Sequence, residues 1–228
     1  MEYHDKEYCL EVWGDFACFT RPELKVERVS YDVITPSAAR AIFEAIFWKP
    51  AIHWQVTRIE VLKPIRWFNI KRNEVGKTMS PASNGLIIEY NRQQRSSMLL
   101  HDVRYRIFAR QEYIPVKKRP SDEQRLFAKD ENPGKYNAMF ERRAFKGQCF
   151  NQPYLGCREF TCNFRLIEPA TYGEGIDESR DLGLMLYDME FQKGDTYGEK
   201  PATALFFRAQ MNHGVIIVPP KDSKEVLR

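Results

Sequence analysis

The sequence predicts an α+β fold in two parts. An N-terminal unit over residues 1–168 runs in the order β-α-β-β-α-β, and a small antiparallel β-sheet occupies residues 169–228. Three observations predict this. Several segments alternate apolar with polar residues, the period of a half-buried strand. Two others carry apolar residues at helical spacing behind recognisable start signals. After Pro169 the chain becomes short strand-like runs separated by turn residues.

The first strand spans Glu7 to Trp13, with Tyr8, Leu10 and Val12 on one face, and Gly14-Asp15 is expected to break it. Thr35-Pro36-Ser37 supplies a capping hydroxyl and an early proline, so Ala38 to Trp48 reads as a helix until Pro50 stops it. Ile52 to Leu62 is a long strand, ended by Pro64. Arg66 to Ser83 is polar and basic and reads as a loop. Leu86–Tyr90 and Met98–Tyr113 read as antiparallel strands joined by a turn at Asn91–Gln94. In the second of these, Val103, Tyr105, Ile107 and Ala109 alternate with Arg104, Arg106, Phe108 and Arg110, which places three arginines on one sheet face. Lys117-Lys118-Arg119-Pro120 is a basic linker. Asn132-Pro133-Gly134 opens a second helix that Gly147 ends, and Gly156 to Ile167 is the last strand of the unit. The order is the ferredoxin-like (RRM-like) arrangement, which many RNA-recognition modules share with other proteins. Beyond the turn Tyr172-Gly173-Glu174-Gly175, the runs Leu182–Phe191, Thr203–Gln210 and Val215–Val218 form the small sheet. Lys193-Gly194-Asp195 and Asn212-His213-Gly214 separate them. A sheet of that size is expected to pack on the first unit.

Of the 228 residues, 43% are hydrophobic and 29% charged, the composition of a folded soluble domain. No run approaches the ~18 apolar residues of a membrane span. The polar start Met1–Glu7 is unlike a secretory signal, so a cytoplasmic location without membrane contact is expected. Five cysteines, an odd number, fit a reducing compartment, and the spacing of Cys149, Cys157 and Cys162 matches no structural zinc pattern. The net charge of +4 is unevenly spread: Glu60–Pro120 holds thirteen Lys/Arg against five Asp/Glu (+8), and Glu168–Lys200 three against nine (−6). Such asymmetry points to a polyanion on one side.

The sequence contains no P-loop, dinucleotide fingerprint or nucleophile elbow, and its four histidines are scattered. No metal and no cofactor are expected. Phosphates are held by Lys and Arg. Candidate phosphate ligands are Arg104, Arg106, Arg110, Lys117, Lys118 and Arg119, with Arg66, Lys71, Arg72 and Lys77 from the loop. Trp67 and Phe68 either stack on a base beside those charges or bury against the domain.

An ordered set of segments carries a family resemblance. It includes Val12–Pro22, Tyr31–Pro36, Ala45–Pro50, Asp102–Tyr105, Pro133–Tyr136 and Tyr154–Phe160. Together they resemble the subtype I-C (Dvulg-type) RAMP-superfamily endoribonucleases, the Cas family-five proteins of Cascade-type complexes. The resemblance implies a ferredoxin-like domain plus a small C-terminal β domain. It implies an enzyme that recognises the hairpin of a CRISPR repeat, cleaves precursor crRNA at its 3′ base and stays with the guide RNA among other Cascade subunits. The family's active site is a Tyr ending the first helix and a Lys-His pair starting the second; here those positions hold Phe47, Lys135 and Tyr136. Phe47 has no hydroxyl, and a tyrosine with the ordinary value of ~10 is a poor base. Metal-free cleavage would use the RNA's own 2′-hydroxyl as nucleophile. Lys135 would then serve for charge and leaving-group protonation, Tyr136 would orient the 2′-hydroxyl or donate to a phosphate oxygen, and His53 or His101 would be the base. The alternatives are a non-catalytic RNA-binding Cascade subunit and a general nucleic-acid binder that also takes duplex DNA.

Overall fold

The structure is a computed structural model and describes residues 5–82, 84–119, 131–173, 175–191 and 202–228. It is a mixed α/β molecule built mainly of antiparallel sheet. The strands of the main sheet are β1 (Lys6–Ala17), β2 (Ile52–Val61), β3 (Trp67–Val75), β4 (Arg92–Tyr113), β5 (Asn163–Ile167) and β8 (Val215–Ile217). Their order is β5-β1-β4-β2-β8, with β3 also paired to β4. β4 is 22 residues long and serves as the spine. Its first part, Arg92–Leu100, pairs with β3, and its later part, Leu100–Tyr113, runs between β1 and β2.

Two helices cover one face of this sheet. In α1 (Pro36–Ile46) the Thr35 hydroxyl accepts from the Ala38 N–H at 3.3 Å, and Ala39, Ile42, Phe43 and Ile46 form the buried stripe. In α2 (Pro133–Phe145) the Asn132 side chain accepts from the Lys135 N–H at 2.9 Å, and Tyr136, Phe140 and Ala144 are buried. Gly147, at φ +66, follows the end of α2 in the left-handed region that a glycine cap serves. Aromatic contacts lock the layers together. The Phe140 ring lies 4.7 Å from Tyr8 of β1 and 4.6 Å from Trp54 of β2, and Trp54 lies 4.8 Å from Phe43 of α1.

A second sheet joins β6 (Arg180–Glu190), β7 (Thr203–Met211) and β9 (Val226–Leu227). Its buried Met185, Tyr187 and Phe207 belong to the same core cluster as the first sheet. An ion pair from Arg40 of α1 to Asp188 of β6, at 2.7 Å, ties the two layers. Among the described residues no helix is long and apolar enough to cross a membrane.

Both helices, β2 and the later part of β4 follow the sequence reading. Four details differ. β1 is not broken at Gly14 but runs to Ala17; a Cβ at Gly14 would sit 2.6 Å from Leu155 Cδ1 and 2.9 Å from the Thr161 carbonyl, so this glycine answers a close approach. The basic segment expected to be a loop contains β3, and the hairpin partner expected at Leu86–Tyr90 is instead a short 3-10 turn at Ile88–Asn91. β3 is polar and exposed along most of its length, so it carries no apolar alternation to read. The strand expected from Gly156 begins only at Asn163. Gly156 takes φ +84, where a Cβ would meet the Cys18 carbonyl at 2.1 Å, so the chain turns there. The run at Val215 joins the first sheet beside β2, not the second sheet. The Lys193-Gly194-Asp195 turn lies outside the described residues, as do Pro120 of the basic linker and Glu174 of the acidic turn.

Phe140 is fully buried and Phe145 is 80% exposed on the same helix. Phe140→Ala is expected to cost about 3–5 kcal/mol of stability in chemical denaturation. Phe145→Ala is expected to stay within about 0.5 kcal/mol of wild type.

Candidate nucleic-acid interface and active site

The sheet face opposite the helices carries the expected arginines, because cross-strand partners share a face and β4 alternates. Glu11 of β1 pairs with Arg106 of β4, and Arg106 with Glu60 of β2. Both carboxylates are buried, at 2% and 0% exposure. Glu11 accepts from Arg104 Nε at 2.7 Å and from Arg165 Nη2 at 3.0 Å on each oxygen. Arg106 lies between the two acids, 3.6 Å from Glu11 and 3.8 Å from Glu60. Glu60 also accepts from Arg58 Nε at 2.9 Å and the Gly173 N–H at 2.8 Å. Burial alone would raise the Glu11 pKa, but the hydrogen bonds from Arg165 and Arg104 outweigh it and hold the carboxyl below the ordinary range. The segment after β5 roofs part of this face: the Tyr172 ring lies 5.0 Å from Phe108, and its hydroxyl donates to Glu7 at 2.6 Å. Arg104 and Arg106 are thus committed to ion pairs although their side chains stay 38% and 31% exposed, while Arg110, further along β4, is exposed.

A second cluster forms where α1 ends and α2 begins. Phe47 caps α1, is fully buried, and its carbonyl accepts from Trp54 Nε1 at 3.0 Å. Its ring lies 6.2 Å from the Tyr136 ring and 5.3 Å beneath the Arg143 guanidinium. Tyr136 is only 7% exposed and its hydroxyl donates to Glu131. Burial, then the Glu131 carboxylate, push the Tyr136 pKa well above that of a free tyrosine, so it stays a neutral donor. Arg119, 4% exposed, completes the lock from inside, donating to the Ile114 carbonyl at 2.8 Å and pairing with Glu131 at 3.0 Å. The expected surface role of Arg119 does not fit this burial. Lys135, by contrast, is exposed on the first turn of α2, and Lys117 and Lys118 are exposed on the short 3-10 turn after β4.

The remaining expected phosphate ligands lie on the β3–β4 hairpin and just before it. Arg66 pairs with Asp102 at 3.3 Å, and Lys63 bonds the same carboxylate. Lys71 is exposed. Arg72 is mostly covered and makes ion pairs of 2.7 Å to both Glu74 and Glu159. Of the two histidines offered as bases, His53 lines a small pocket with Arg40, Tyr187, Asp188 and Lys221. Burial first, then Arg40 and Lys221, depress its pKa and keep it neutral. His101 lies against the Phe68 ring at 6.1 Å. The structure therefore brings Phe47 and Tyr136 together, with Arg119 bound to the same Glu131, puts exposed Lys135 next to Tyr136 in the chain, and leaves Lys71 and Arg72 on the hairpin and Arg66 just before it. Sequence reasoning missed Glu131 and Arg143. Arg143 stands seven residues after Tyr136, two helical turns along the same face, and that spacing could have flagged it.

Comparison with known proteins follows this geometry. The family model of the CRISPR-associated protein Cas5, in its Cas5d form, matches residues 7–219. A CRISPR pre-crRNA endoribonuclease Cas5d of Mannheimia succiniciproducens is 47% identical over 236 residues, covering 96% of this chain and 97% of that protein. The protein of the same name from Thermus thermophilus is 40% identical over 233 residues, covering 96% and 94%. A solved CRISPR-associated protein superposes with a TM-score of 0.66 at 23% identity, covering both chains completely. A functionally uncharacterized protein from Streptococcus mutans does so with a TM-score of 0.66 at 22% identity, again over both whole chains. These two likenesses concern the fold.

The Glu11 carboxyl has a depressed folded-state pKa, so its contribution to stability is present above the ordinary glutamate value of 4.5 and lost as pH falls through the lower folded value. Wild-type stability, measured by denaturant titration between about pH 7 and pH 3, is expected to fall below that value. Glu11→Gln is expected to be less stable at neutral pH and to show a flatter acid limb.

Proposed function

This chain belongs to the Cas5d family of CRISPR-associated proteins, and from that premise we propose that it is a metal-independent endoribonuclease of precursor crRNA. In this reading it recognises the hairpin of a CRISPR repeat, cleaves at its 3′ base, and stays with the mature guide among the other subunits of a Cascade-type complex. One observation supports the assignment of the site: the Phe47 ring at the end of α1 lies 6.2 Å from the ring of Tyr136 at the start of α2, and Lys135 immediately precedes Tyr136. Lys135 is the one charged residue of the three, and it is exposed. The strand order β5-β1-β4-β2, with both helices on one face, supports reading residues 1–168 as a ferredoxin-like (RRM-like) unit with a β appendage over 169–228.

The chemistry proposed for the site is attack by a ribose 2′-oxygen on the adjacent phosphorus. The P–O5′ bond breaks, leaving a 2′,3′-cyclic phosphate and a 5′-hydroxyl. Lys135 neutralises the charge that develops on the phosphorane and donates the proton to the departing 5′-oxygen. Its position in the first turn of α2 adds the positive end of the helix dipole. Exposed Lys117, Lys118 and Arg110 supply phosphate contacts for the flanking RNA. Tyr136 takes a positioning role: its hydroxyl holds Glu131, Glu131 holds Arg119, and the start of α2 is fixed by that chain of contacts. With Tyr136 so engaged, the 2′-hydroxyl proton passes to solvent hydroxide, and the cluster works by in-line placement and charge.

A second reading, an RNA-binding subunit without cleavage activity, is favoured by two features of the same cluster. Phe47 has no hydroxyl, and that of Tyr136 is committed to Glu131. Incubating the protein with repeat hairpin RNA in excess EDTA separates the readings. A discrete product ending in a cyclic phosphate is expected, and it should vanish when the nucleotide before the cut carries 2′-deoxyribose. Lys135→Ala is expected to lower the cleavage rate by about 10²–10⁴-fold with RNA affinity reduced far less. The wild-type rate should climb roughly tenfold per pH unit between about pH 6 and 8, as removal of a proton by hydroxide requires. No cleavage by the wild type under these conditions would establish the second reading.

A further inference from the structure

Two cysteines meet where the end of β1 packs on the segment between α2 and β5. Cys18 follows the last residue of β1, is fully buried, and donates its N–H to the Leu155 carbonyl at 3.0 Å. Gly156 lies close against it: a Cβ there would stand 2.1 Å from the Cys18 carbonyl oxygen. Cys157 comes next in that segment, is half-buried, and its thiol donates to the same carbonyl at 3.6 Å. The two residues stand 139 positions apart in the chain, so only the fold brings them together.

A guanidinium serves this pair. Arg28 Nη1 donates to the Cys157 sulfur at 3.5 Å, and Arg28 is itself held by Glu159 at 3.4 Å and Glu74 at 3.6 Å. The Cys18 thiol first, then Arg28, hold the Cys157 pKa below the ordinary thiol value, against the opposing effects of burial and Glu159. Cys18 shifts the other way: its contact with Cys157, then burial, keep it protonated. One sulfur is thus partly open to solvent and inclined to the thiolate, and its neighbour is a buried thiol. The fully buried Cys9 and Cys162 differ from both, because burial pushes each up to about 12. All five cysteines are free thiols.

We propose that Cys157 is a site of oxidation by hydroperoxides, with Cys18 as its resolving partner. With hydrogen peroxide, the Cys157 thiolate attacks one oxygen and the O–O bond breaks. The sulfur is left as a sulfenic acid, and the departing hydroxide takes up the proton that the thiol had released and leaves as water. The Cys18 sulfur then attacks the sulfenic sulfur. Its proton leaves with the sulfenic hydroxyl as a second water, and the S–S bond forms. The two sulfurs together lose two electrons and the peroxide gains them; a dithiol reductant reverses the change. The thiolate is the reactive form, and the cation at 3.5 Å favours it, whereas a buried thiol remote from any partner stays inert. The bond would staple the end of β1 to the segment in which Tyr154 and Thr161 pair across a bridge.

The test exposes the reduced full chain to hydrogen peroxide at pH 7 for increasing times. Remaining thiols are then blocked with N-ethylmaleimide in denaturant, and labels and cross-linked peptides are read by mass spectrometry. The number of labels should fall by two from five as a Cys18–Cys157 peptide pair appears, and dithiothreitol should restore all five. Cys157 should be consumed about tenfold faster than Cys149, which is half-buried as well. In Cys18→Ala the oxidation should stop at a sulfenic acid, trapped on Cys157 by dimedone; in Cys157→Ser, Cys18 should keep its label. A thermal melt checks that each variant is folded, and the wild-type measurement decides the matter even where one is not. Five labels retained, a disulfide joining any other pair, or Cys149 oxidised as fast as Cys157 overturns the proposal.

Discussion

The bond pattern on which the molecule's surface chemistry depends is the arginine held between two buried acids. Arg106 sits on the central strand between Glu11 and Glu60 on its two neighbours. Three strands are joined through one guanidinium, with Arg104 and Arg165 completing the Glu11 side and Arg58 the Glu60 side. Withdrawing charges from water is expensive, and removing one partner of such a set leaves an uncompensated charge at a cost of about 3–5 kcal/mol. The set also fixes register, because a shift of one residue would turn every one of these side chains to the helix-covered face. Its consequence for RNA is indirect. A face that looks in the sequence like a row of free cations is tied into ion pairs with two buried acids and partly roofed by Tyr172 and Gly173. In the proposed reading, phosphate contacts fall to the borders of that face: Arg110, the start of α2, the turn after β4, and the β3–β4 hairpin.

The helices were legible because their ends are written in short-range chemistry. Thr35 with Pro36, and Asn132 with Pro133, each place an acceptor before a proline that needs no donor. β3 was not legible, since a strand whose two faces both meet solvent has no apolar period. Gly14 and Gly156 look identical as letters. One lies within a strand that passes close to Leu155, and the other in a left-handed turn against Cys18. Only the tertiary neighbours tell them apart.

The candidate site was legible through family likeness more than through pattern. Nothing in the sequence announces that Phe47 and Tyr136 meet, because they stand 89 positions apart (136 − 47). The bulk basic charge was a poorer guide. Arg119 and Arg72 belong to the same run of cations as Lys71 and Lys117, yet Arg119 is buried against Glu131 and Arg72 is bound by Glu74 and Glu159. Charge counted along a chain cannot register that an acid far away in sequence has already claimed it. Conversely, Glu11 occupies an ordinary outward position in an alternating strand, and only its three arginine neighbours explain why it is buried.

The placement of β8 bears on how the protein is made. Residues 215–217 form the strand that covers the outer edge of β2, in a register that sets Arg58 against Ile217. During synthesis the first hundred-odd residues can assemble the central strands and α1, but the β2 edge stays bare until the chain has emerged from the ribosome almost to residue 217. An open edge of that kind is a template for pairing with another nascent chain, and long-range strand closure is slow. Holding chaperones present during production of the full chain would reduce aggregation by protecting that edge until its own partner arrives.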